Sequence, residues 1–95
     1  MTEFEILKAN IAKHGVDEEL TVAAEECAEL IQAITKIKRY GKRQDLLDHL
    51  AEEMADVTIV LDEIVFMFDN LFDMKDWRKR KLERMNKRLE DNENG

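Results

Sequence analysis

Proline is absent from these 95 residues, glycine occurs three times and cysteine once. Without proline and with so few glycines, strand-and-turn, collagen-like and low-complexity architectures are excluded. One cysteine cannot form an internal disulfide, no Cys/His pattern of the metal-binding type exists, and the start MTEFEILKANIAK lacks a basic stretch followed by an apolar core. A reducing, cytoplasmic setting is therefore expected. The longest unbroken apolar run, Ile64 to Phe68, is far short of the roughly 20 residues that span a bilayer, so no transmembrane helix and no membrane partner is expected. What remains is 44% hydrophobic and 39% charged, a composition of long uninterrupted helices in one all-α domain over 1–95.

Charge is unevenly divided. The net charge is -7, yet Lys75 to Arg88 holds eight basic residues against Asp76 and Glu83. A chain this acidic is repelled by nucleic-acid backbones, which argues against a DNA or RNA partner even though the basic segment alone would permit one.

Periodicity predicts four helices. Phe4, Leu7 and Ile11 mark a short one over 1–13, ended by His14-Gly15. Asp17 is placed to cap a second over 17–40, with Leu20, Ala23, Cys27, Leu30, Ile34 and Ile37 as its apolar seam. Gly41 stops it, and after a turn at 42–45 a third helix over 46–68 repeats the spacing in Leu47, Leu50, Met54, Val57, Leu61, Ile64 and Phe68. Two such seams form an antiparallel hairpin. A last helix over 73–90 carries Trp77, Leu82, Met85 and Leu89 before the polar DNENG tail frays. Between Ile59 and Phe68 only Asp62 and Glu63 are polar. A helix apolar nearly all round needs partners on several sides, so a homodimer or homotetramer completing a four-helix-bundle core is expected.

The chemistry lies in the acids. Glu25, Glu26 and Glu29 in EECAEL recur 27 residues later as Glu52, Glu53 and Asp56 in EEMADV. Acids three apart share a helix face, so Glu26 pairs with Glu29 and Glu53 with Asp56. If the hairpin folds near Gly41, residues whose numbers sum to about 82 lie opposite one another, setting Glu29 against Glu53 and Glu26 against Asp56. Rotation at about 100° per residue puts Glu53 inside the apolar arc of Leu50, Val57, Val60 and Ile64, and Glu52 toward solvent. Converging carboxylates repel unless they are protonated, paired with bases or bound to a cation. Neither seam contains a base, which favours a divalent cation. Oxygen ligands suit Mg²⁺ or Mn²⁺ and speak against zinc. Neither His14 nor His49 has a glutamate three residues before it, as a di-iron bundle site requires, although His49 stands four before Glu53.

In these motifs the chain resembles the MazG-like all-α nucleoside triphosphate pyrophosphohydrolases, whose pattern is EExxE followed after a spacer by ExxD. The resemblance spans about Asp17 to Leu89, including ECAELIQAITK, AEEMADV and KLERMNKRL, in the short single-domain form. It implies hydrolysis of an NTP or dNTP between the α- and β-phosphates, giving a monophosphate and pyrophosphate. It implies Glu26, Glu29, Glu53 and Asp56 as Mg²⁺ ligands and Glu25 as the residue that orients or deprotonates the attacking water. It also implies dimers or tetramers with sites between helices of neighbouring subunits.

A metal-held triphosphate needs cations as well. Lys81, Arg84 and Arg88 recur along one side of the last helix and are candidates for the outgoing pyrophosphate. Asn86 is a candidate for the base or sugar, and Trp77 and Phe72 are the available stacking residues. Two rival readings are a non-catalytic oligomeric helical interaction module and a small nucleic-acid-binding regulator using the basic helix.

Overall fold

The computed structural model describes the backbone of residues 1–94 and the side chains of 1–92. The architecture is all-α: α1 (Glu3–His14), α2 (Val16–Tyr40), α3 (Gln44–Phe68) and α4 (Leu71–Asn94). Thr2 caps α1, its Oγ1 accepting from the Glu5 N–H at 3.1 Å. Gly15 ends α1 by donating to the Ile11 carbonyl at 2.8 Å and also stands at the N-cap of α2. The N-cap is thus Gly15 rather than Asp17, which lies in the first turn, where a carboxylate complements the helix dipole. Gly41 closes α2 in the same way, with φ 88° and ψ -173°, a region open essentially to glycine alone.

Antiparallel α2 and α3 form the body, α1 packs against both, and α4 makes no more than marginal contact with the rest. Helix α4 is longer than predicted, running through Asn94 because no proline or glycine stops it, so fraying from 91 does not describe residues 91–94; Gly95 lies outside the described residues.

The seam differs from the one that apolar spacing predicts. Buried or half-buried positions on α2 include Glu19, Ala23, Glu26, Leu30, Ala33 and Ile37; on α3 they include Leu50, Glu53, Val57, Val60, Glu63 and Ile64. Leu20, Cys27, Ile34, Met54, Leu61 and Phe68 are exposed instead. Heptad-spaced apolar residues occupy two neighbouring faces of each helix, and small Ala23 and Ala33 decide between them by letting the backbones approach. Acids therefore stand within the hairpin seam.

Candidate metal centre

Glu26 and Glu29 stand one turn apart on α2, Glu53 and Asp56 one turn apart on α3. The antiparallel register brings the two pairs to one height, and one ligand atom from each of the four lies within 4.8 Å of all the others. Burial is graded across the cluster: Glu53 is 5% exposed, Glu26 and Asp56 are half-buried and Glu29 is exposed. Glu25 and Glu52, the neighbours of Glu26 and Glu53, are exposed.

The electrostatics of the quartet are unbalanced. Burial pushes the Glu53 carboxyl above its ordinary value, followed by the charge of Glu29, a direct carboxyl contact with Glu29 and the charge of Asp56; His49 opposes these. The Glu26 carboxyl is raised first by burial, then by the charges of Glu29 and Asp56, contact with Asp56 and the charge of Glu53. No lysine or arginine pairs with any of the four among the described residues. His49 Nε2 lies 3.9 Å from Glu53 Oε1. Glu26 Oε2 and Glu53 Oε2 are buried without any hydrogen-bond partner. A buried, unpartnered carboxylate oxygen facing three other carboxyl groups is costly unless a cation completes it. Four oxygen donors with no sulfur suit a hard divalent ion such as Mg²⁺ or Mn²⁺.

The remaining sequence candidates lie elsewhere. Lys81, Arg84 and Arg88 line one groove on α4 together with Met85, Lys87 and Asp91. Asn86 donates to Glu90 Oε1 at 3.2 Å, along the same helix. Trp77 is half-exposed with the Arg80 guanidinium 5.1 Å over its ring, and Phe72 is 83% exposed. Because α4 makes only marginal contact with the other helices, the basic groove does not join the acids through packing within the chain.

Sequence reasoning missed a second buried acidic pair, Glu19 and Glu63, beneath α1. Their numbers also sum to 82, so the hairpin register sets them face to face, but neither lies in the repeated EExxE and EExxD motifs: Glu19 ends the exposed-looking run Asp17-Glu18-Glu19 and Glu63 follows Asp62. No family model, curated protein or solved structure matches the chain.

Proposed function

We propose that this chain is a Mg²⁺-dependent nucleoside triphosphate pyrophosphohydrolase that converts an NTP or dNTP and water to the monophosphate and pyrophosphate in the cytoplasm. One observation carries the reading: Glu26, Glu29, Glu53 and Asp56 converge within 4.8 Å while Glu26 and Glu53 each bury an unpartnered oxygen. The EExxE and ExxD motifs that supply these residues are the ones that resemble MazG-like enzymes.

Glu26, Glu29, Glu53 and Asp56 would hold the ion. A bound Mg²⁺ neutralises phosphate oxygens and lowers the pKa of coordinated water, the main catalytic contribution in phosphoryl chemistry. Glu25 is exposed beside Glu26, free to accept a proton from the attacking water or to orient it. Lys81, Arg84 and Arg88 share one groove and would counter the charge of the departing pyrophosphate, with Asn86 close by for the base or sugar.

Their separation from the acids supports a homo-oligomer in which α4 of one copy serves the acids of another. The accessible surface is 7767 Å², against about 5,700 Å² for a compact monomer of this size. The excess, roughly 2,000 Å², is of the order that stable subunit interfaces remove. Leu20, Cys27 and Ile34 each follow an α2 seam position by one residue, as Met54 and Leu61 follow Glu53 and Val60 on α3. On antiparallel rods such positions fall on the same side, giving one exposed apolar stripe for a second copy.

The test is a panel of ribo- and deoxynucleoside triphosphates incubated with the protein and Mg²⁺ or Mn²⁺, with release of pyrophosphate measured. Release that disappears with EDTA and in Glu53→Gln supports the reading. Failure to cleave any triphosphate with either ion overturns it.

A further inference from the structure

Seven residues from Glu26 and Asp56 along each helix, the same register sets Glu19 opposite Glu63. Both are nearly sealed from solvent, at 5% and 3% exposure. Helix α1 closes over them: Asn10 Nδ2 donates to Glu19 Oε2 at 3.2 Å and to Glu63 Oε2 at 3.4 Å, and His14 Nδ1 lies 3.2 Å from Glu19 Oε1. Three helices therefore meet at one polar cluster, contributing Asn10 and His14 from α1, Glu19 from α2 and Glu63 from α3.

The charged groups facing this pair are each other and, when protonated, His14. Lys13 on α1, Asp17 and Glu18 on α2 and Asp62 on α3 are exposed. No lysine or arginine pairs with either acid among the described residues, and α4 makes at most marginal contact with the bundle. Two buried carboxylates with one amide between them carry more negative charge than their donors offset. A proton on one turns it into a hydrogen-bond donor for the other and removes the repulsion. Consistent with this, burial raises the Glu63 carboxyl above its ordinary 4.5, joined by its contact with Glu19 and the charge of Glu19 and opposed by Asn10 and His14.

We propose that Glu19 and Glu63 hold a single proton between them and that this proton is the latch fastening α1 to the α2–α3 hairpin. On opening, the proton passes to solvent, both carboxylates become charged and their repulsion works against the Asn10 clamp. Little else holds α1, whose one buried residue is Ile11 and whose ring contact is the edge of Phe4 against Phe66 at 5.2 Å. The sign follows from linkage: a carboxyl raised on folding contributes stability that is full below 4.5 and is lost as pH rises through its raised value. Helix α1 is docked on the acidic side and released on the alkaline side.

The experiment is amide hydrogen exchange of the full chain across pH, expressed as protection factors so that the intrinsic chemical rate divides out. Between 4.5 and the raised value of Glu63, protection of the α1 amides should fall by about tenfold per pH unit, the slope of one released proton, and level off above it. Glu63→Gln offers Glu19 a permanent N–H donor and should keep α1 protected while abolishing that slope. Glu19→Gln makes the same change from α2 and substitutes for it if Glu63→Gln does not fold. Infrared difference spectra read the proton directly: a protonated-carboxyl stretch lost in Glu63→Gln or Glu19→Gln but kept in Glu53→Gln supports the latch. Protection independent of pH in the wild-type chain, an unchanged slope in the glutamine variants, or no such band overturns it.

Discussion

Glu53 occupies a position where a bundle without a ligand would carry leucine, and it does so with an oxygen that nothing satisfies. Glu53→Gln should lower pyrophosphate release by at least about 100-fold, the range for removing one electrostatic stabiliser, and should erase the rise in melting temperature on adding Mg²⁺. Glu52→Gln, an exposed neighbour, should change neither. Glu53→Leu should raise the melting temperature of the metal-free protein, because a buried unpaired carboxyl is replaced by a group that needs no partner. The pH response has a definite sign. Glu26 and Glu53 are raised above the ordinary 4.5, so their contribution to metal-free stability is full below that value and is lost as pH rises through the raised ones. Thermal scans in EDTA should fall in melting temperature over that rise, and the gain from Mg²⁺ should grow over the same range as the ligands deprotonate. The convergence of this quartet was legible in the sequence because three-residue spacing and one hairpin register are both local arithmetic. The depth of Glu19 and Glu63 was not, since it depends on α1 folding back over them.

The hairpin depends on three residues, Gly41 to Arg43, that no helix includes. At Gly41 a Cβ would meet nothing within 4 Å, so the cost of a side chain there is purely conformational. Gly41→Ala should destabilise the protein by about 1–3 kcal/mol, the cost of holding a non-glycine residue in this region, read from the midpoint of urea unfolding. Helix existence and approximate ends were readable from glycine placement and from periodicity. The face that each helix turns inward was not: Leu20, Cys27 and Ile34 satisfy the same heptad as the true seam one residue away. Hydrophobic spacing within a helix cannot distinguish two adjacent apolar faces, whereas close packing at Ala33, 1% exposed, does.

At the scale of the molecule the chain is open, with a radius of gyration of 17.2 Å against about 12–13 Å for a compact domain of this length. Among the described residues no large side chain is fully buried, and every described side chain of α4 beyond Leu71 is exposed. Sedimentation should therefore give a mass of two or four chains. Leu61→Glu, which places a charge in the exposed stripe, should shift the mass toward one chain and lower pyrophosphate release with it. Trp77, half-exposed in the single chain, should show emission moving to longer wavelength as dilution separates the subunits. The sequence alone determined that the chain is helical, where its helices divide and which acids meet at one height, because all three follow from backbone-breaking residues and fixed residue spacing. Tertiary structure decided which face became the seam, that α1 covers a second acid pair and that α4 stands away from the hairpin. Those outcomes rest on contacts between residues far apart in the chain, where small side chains, burial and shared donors select among arrangements that local pattern leaves equivalent.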